Sequence, residues 1–184
     1  MPSHATRVPP TIPNREPASV LTKLDEANFA KQCEDLGYDM IWVPDSQMIW
    51  GDCYAYLALA AQRTSRIKLA TGVAVAGTRA APVIAHSIAS IATLAPGRVS
   101  LGIGSGNSAY RFMNLKPLPI KKYADEIRAV RGLLAGGPFK FSGKRFQIDA
   151  TLNRGADVPV MVSALRSGSF ELAGEITDGA ISRS

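Results

Sequence analysis

Four short apolar runs recur along the chain: "MIWV" at 40–43, "IKLATGVAV" at 67–75, "RVSLGIG" at 98–104 and "VPVMVSA" at 158–164. Each is followed by a stretch of helical character. A run that is apolar at nearly every position suits a strand buried on both faces, as in a parallel sheet. Strand–helix alternation of this kind implies parallel strands joined by right-handed crossovers. This pattern narrows the fold more than any other feature of the sequence.

The helical stretches have their own signatures. Leu21, Leu24, Ala27 and Ala30 begin a helix at Ser19 that stops at Gly37, a residue suited to a left-handed cap. "YAYLALAAQRTS" is rich in alanine and leucine, and "APVIAHSIASIATLAPG" sets Ile84, Ile88 and Ile91 on one face before Pro96-Gly97. His86 is read as a structural residue on that apolar helix. Tyr123, Ile127, Val130 and Leu134 form one stripe of a further helix. "FKFSGKRFQI" alternates around Ser142-Gly143 as a small hairpin, and "SGSFELAGE" with "DGAIS" supplies a last helix and strand. Residues 1–18, with five prolines, are a separate N-terminal segment that holds at best a poor strand near Arg7–Ile12. Residues 19–184 form the domain. Five clear strands and one doubtful one allow two architectures: a complete doubly wound open sheet, or a (β/α)8 barrel left unfinished, since a barrel takes about 250 residues.

Composition excludes several classes. With 46% hydrophobic and 20% charged residues, the 184-residue chain is globular rather than disordered. No apolar run nears the ~20 residues of a membrane span, and the N-terminus lacks a secretory pattern, so cytoplasmic residence is the expectation. The net charge of +6 comes from scattered basic residues without interleaved aromatics, which argues against a nucleic-acid surface. Cys33, Cys53, His4 and His86 do not have the spacing of a metal site.

Three stretches carry candidate chemistry. "GIGSGN" spaces Gly102, Gly104 and Gly106 as G-x-G-x-G on a late strand, not as the G-x-G-x-x-G of a first dinucleotide-binding turn. Gly102 and Gly104, on the strand, permit close approach of a backbone or a flat ligand. "TGV" at 71–73 interrupts a strand, either as a plain bulge or as a special backbone feature under a ligand. Asp45 and Ser46 follow a strand, where α/β folds gather ligand groups, although an Asp there also serves as a helix cap. Trp50 and Tyr54, close behind, are read as core.

From Leu36 to Ile181 these pieces resemble the luciferase-like flavin-dependent oxidoreductases. The likeness is densest in "RIKLATGVAVAGTRAAPVIAHSIASIATLAPGRVSLGIGSGNSAYRFMNLKP", with T-x-x-x-P at Thr78–Pro82 and L-x-x-G-R-x-x-L-G-I-G-x-G from Leu94 to Gly106. "PVMVSALRSGSFELAGEITDGAI" continues it. The resemblance implies a TIM-type (β/α)8 barrel, here truncated after about strand six. It implies FMN, or the deazaflavin coenzyme F420, at the C-terminal mouth, and a small organic substrate. It places Asp45 near the cofactor, Gly72 and Val73 at a cis peptide behind the ring, and Ser105, Gly106 and Asn107 beside the ring. Ser163, Ala164, Arg166 and Gly168 fall in the segment that holds the phosphate or tail, with Leu165 a bulky departure within it. Sugar-phosphate dehydrogenases of the family carry a His where this chain has Ser46 and a Glu where it has Asn107, so that activity is not expected. A homodimer is implied, with monooxygenase or hydride-transfer chemistry. The rival expectation is a truncated, non-catalytic paralogue that acts only as an interaction partner.

Overall fold

The computed structural model describes residues 28–149 and 157–182. The Pro-rich segment, the strand expected near Arg7–Ile12 and the first part of the helix expected from Ser19 lie outside them. Five strands form one all-parallel sheet: β1 (Met40–Val43), β2 (Lys68–Val75), β3 (Val99–Gly104), β6 (Val160–Ser163) and β7 (Gly179–Ile181), side by side in that order. Between them run α1 (Asn28–Asp35), α2 (Cys53–Arg63), α3 (Ala81–Leu94), α4 (Asn107–Phe112), α5 (Ile120–Leu134) and α6 (Ser167–Ile176). The expected hairpin, β4 (Phe139–Phe141) with β5 (Lys144–Phe146), is antiparallel and separate from the sheet.

One face of the sheet packs on helices. Leu69, Leu101, Ile103, Val160 and Val162 are buried in one cluster with Leu57 of α2, Ile84 and Ile88 of α3, and Ile127 and Val130 of α5. Burial of such side chains stabilises by about 1.5–3 kcal/mol each, so this layer dominates the stability of the fold. His86 is solvent-exposed, not part of the apolar face of α3.

The opposite face shows how the sheet is shaped. A Cβ at Gly102, on the central strand, would meet the Thr71 carbonyl oxygen, Ile181 Cδ1 at 2.7 Å and Trp42 Cζ3 at 3.1 Å. Trp42 and Ile181 belong to the two edge strands, which would lie about 19 Å apart in a flat five-stranded sheet. Both reach the same spot above β3, so the sheet is curled around this face like part of a barrel wall.

Two polar side chains set the entry to β2 and β3. The buried Glu34 carboxylate accepts the backbone N–H groups of Ser65 at 3.0 Å, Arg66 at 2.6 Å and Ile67 at 2.9 Å. The Arg98 guanidinium donates to the carbonyls of Ala61, Thr64 and Ile67 and to Thr64 Oγ1, all at 3.0–3.2 Å. It thereby satisfies carbonyls that the end of α2 leaves open. The short helix α4, by contrast, was not expected from the sequence, which reads as loop there. Six residues are too few to display a helical period.

Candidate active site

Every strand of the sheet points the same way, so the loops after β1, β2, β3 and β6 gather at one end, where parallel α/β folds place their ligand groups. The loop after β1 starts at Pro44, which ends the strand pairing, and carries Asp45 inward. The Asp45 side chain is only 2% exposed. Arg79, from the loop after β2, faces it with two nitrogens: Nε to Oδ2 and Nη2 to Oδ1, both at 3.4 Å. The Cys53 thiol at the start of α2 also lies close enough to favour its charged form. Burial pushes the Asp45 carboxyl above the usual aspartate range, and Arg79 offsets that only in part.

Arg79 is itself held from outside. Its Nη2 donates to Asp52 Oδ2 at 2.6 Å, and its guanidinium carbon stands 5.1 Å from the centre of the Tyr54 ring. Asp52 is the N-cap of α2, with Oδ1 accepting from the backbone of Tyr54 at 2.9 Å and Ala55 at 3.0 Å. Burial works against the charge on Arg79, but the two carboxylates outweigh it and raise its affinity for the proton. Beside this cluster the Tyr54 hydroxyl is buried without a partner, and in the same β1–α2 loop so are both amide atoms of Gln47. Such orphaned groups are uncommon in a finished interior.

The wall beyond β1 is built from β2, β3 and β6. The peptide between Gly72 and Val73 is cis, as the resemblance implies, and the pairing of β2 with β3 slips between Thr71 and Ala74. Thr71 Oγ1 donates to the Gly102 carbonyl at 2.7 Å and secures the slipped stretch. A Cβ at Gly104 would stand 2.6 Å from Val73 Cγ2 and 3.2 Å from Ser163 Cβ. The glycines of β3 therefore face protein side chains that already lean over them. Gly106 has φ +60 and faces Val75 at its α-carbon, so this turn into α4 admits no larger residue. Ser105 and Asn107 flank it, both exposed. Tyr110 of α4 donates to the Ala76 carbonyl at 2.6 Å and ties the turn to the end of β2.

After β6, Ala164 is buried and Ser163 half-buried, while Arg166 and Gly168 are exposed at the start of α6. Ser169 Oγ accepts the backbone N–H groups of Leu165 and Arg166 at 3.1 Å, which shapes this N-terminus. Leu165, the bulky departure in this segment, is 70% exposed.

The structure thus brings Val73, Ser163 and the end of β3 into one patch. Asp45 follows β1 at the same end of the sheet, since Val43 pairs in parallel with Thr71 one strand over. Arg79, Asp52 and Tyr54 were not singled out as a unit by sequence reading. Arg79 lies 34 residues from Asp45 and 27 from Asp52, and nothing in its local pattern points to either. Two surface cavities lie elsewhere, one lined by Arg131, Asp157 and Asp178, the other by His86, Phe146 and Gln147. Neither includes any residue of this patch.

Known proteins match this chain over most of its length. The family model for luciferase-like monooxygenase matches residues 9–184. A 5,10-methylenetetrahydromethanopterin reductase of Methanolobus tindarius is 35% identical over 164 residues, 84% of this chain and 48% of that protein. An F420-dependent glucose-6-phosphate dehydrogenase of Beutenbergia cavernae is 35% identical over 168 residues, 80% of this chain and 49% of that protein. Among solved structures, the oxygenating constituent of 3,6-diketocamphane monooxygenase from Pseudomonas putida, in complex with FMN, superposes with a TM-score of 0.69 at 19% identity, over 86% of this chain and 51% of that one. The chain spans about half the length of the relatives that it matches. The curled parallel sheet is accordingly a section of the family's barrel, and the chain belongs to the luciferase-like monooxygenase family.

Proposed function

We propose that the protein is a flavin- or deazaflavin-dependent oxidoreductase with its cofactor at the C-terminal ends of β1, β2, β3 and β6. The observation that carries this reading is the convergence of Val73, Gly104 and Ser163 on one patch, at the end of the sheet where Asp45 follows β1 and the exposed start of α6 follows β6. These residues fit such a group. The concave face presents the Trp42 ring, 38% exposed, to one side. Ser167 and Gly168 offer backbone N–H groups at a helix N-terminus, a natural seat for phosphate, with Arg166 next to them. The unpartnered Tyr54 hydroxyl and Gln47 amide add buried polar atoms near Asp45.

In this reading Gly72 and Val73 back the ring, and Ser105, Gly106 and Asn107 border it. Asp45 lies behind one edge, and Ser163, Ala164, Arg166 and Gly168 hold the phosphate-bearing tail. When bound, FMN would supply oxygen chemistry, and coenzyme F420 a hydride, toward a small organic substrate. The chain's own residues bind, orient and exclude water. The reductase and dehydrogenase relatives favour F420. Ser46 and Asn107 carry no group that titrates near neutrality, so the acid–base pair of sugar-phosphate oxidation is not supplied at those positions.

Adding FMN and F420 separately to the purified protein tests the reading. Saturable quenching of ring fluorescence, with a raised melting temperature, is the expected result. Absence of binding for both would overturn it. A second reading, a non-catalytic interaction module, is favoured by one observation: among the described residues β1 and β7 have no strand on their outer sides. Open edges of that kind favour association, including a homodimer. The same titration separates the two readings, because an interaction module would bind neither cofactor.

A further inference from the structure

Asp45 is nearly sealed from water, and a buried carboxylate needs either a proton or a counter-charge. The titratable groups that face it are few: Arg79 from the loop after β2, and Asp52, Cys53 and Tyr54 from the start of α2. One cation is therefore shared by two carboxylates. The sharing is unequal, at 2.6 Å on the exposed Asp52 and 3.4 Å on the buried Asp45. Asp52 alone would be enough to staple the β2–α3 loop to α2. The guanidinium is also turned so that Nε and Nη2 address the two Asp45 oxygens one to one. A planar fork opposite a planar carboxylate fixes the orientation of the acceptor as well as its charge.

We propose that Arg79, clamped by Asp52 and the Tyr54 ring, is a positioning residue that orients Asp45 and keeps it an ionised hydrogen-bond acceptor for an N–H group of a ligand bound at the mouth. This rests on the cofactor site proposed above. Asp52 acts one step further out: it draws the guanidinium toward solvent and sets how much of its charge reaches Asp45. Cys53 completes the seat with a neutral donor, because burial and then the neighbouring Asp45 keep its thiol protonated.

The test follows the Asp45 carboxyl by 13C NMR in the intact chain, its signal identified by its loss in Asp45→Asn. FMN and F420 affinities are measured in parallel over the pH range that spans the Asp45 midpoints of wild type and Arg79→Gln. Removing the cation in Arg79→Gln should raise the Asp45 midpoint by about one pH unit or more. Asp52→Asn, which keeps an N-cap residue, should lower it, because a repelling charge is removed and more of the guanidinium's charge reaches Asp45. Arg79→Lys keeps the charge but not the fork and should restore the midpoint only in part. In each protein the affinity of whichever cofactor binds should be flat above its own Asp45 midpoint and weaken about tenfold per pH unit below it, so the Arg79→Gln curve is displaced to higher pH by the midpoint shift. A midpoint that does not move in Arg79→Gln, in protein shown folded by its melting curve, overturns the proposal. So does a moved midpoint with pH-independent affinity. If wild type binds neither cofactor, the cofactor reading fails and with it the ligand role, while the midpoint shift still decides whether Arg79 governs Asp45.

Discussion

Glu34 illustrates how much a single side chain can hold. The Ile67 N–H, and with it those of Arg66 and Ser65, outweigh the cost of burial and bring its carboxyl down to about 2. A lowered carboxyl contributes stability above the ordinary glutamate range, and that contribution is lost as pH falls toward 2. Glu34→Gln should therefore cost roughly 1.5–3 kcal/mol at pH 7, the range for hydrogen bonds to a charged group. In urea unfolding the gap to wild type should narrow steadily below pH 4; an equal gap at pH 7 and pH 3 would contradict the assignment. Gly102 makes a second prediction. An alanine there pushes into the Thr71 carbonyl and Ile181, so Gly102→Ala should lower stability by about 1–3 kcal/mol, read from its melting temperature. The sequence marks Gly102 as a place of close approach, but it does not tell what approaches. Asp45 was legible because it follows a strand. Its partner Arg79 was not, because the contact exists only once two loops 34 residues apart fold to the same end.

At the scale of elements, most of the architecture was readable. Strands apolar at almost every position and helices with one apolar stripe gave away β1, β2, β3, β6 and α3 to within a few residues. What escaped was α4, too short for a period, and the outward turn of His86 on a helix whose other positions are mostly apolar. Arg98 shows what couples neighbouring elements. It stands just before β3, and its guanidinium closes the C-terminal end of α2 through four hydrogen bonds. This gives a physical reason for an arginine at the head of the "GRVSLGIG" stretch. Arg98→Met keeps much of the apolar stem but leaves those carbonyls unmatched. It should cost about 3 kcal/mol in chemical unfolding, and a change under 0.5 kcal/mol would show that water replaces the guanidinium.

For the whole molecule, curvature is the informative property. Strand–helix alternation alone allows both an open doubly wound sheet and a barrel, and only the family resemblance pointed to the barrel. Trp42 and Ile181 meeting above Gly102 distinguish them, because edge strands touch the same point only when the sheet curls. The curl brings the loops after β1, β2, β3 and β6 around one mouth, and the site proposed here depends on that. Among the described residues no helix is long and apolar enough to cross a membrane. Hydrogen–deuterium exchange of the protein with and without saturating F420, and likewise with FMN, tests the account most directly. It predicts slowed exchange confined to residues 45–47, 71–76, 104–108 and 163–170. Protection centred instead on the cavity by His86 and Phe146, or no protection with either cofactor, would contradict it.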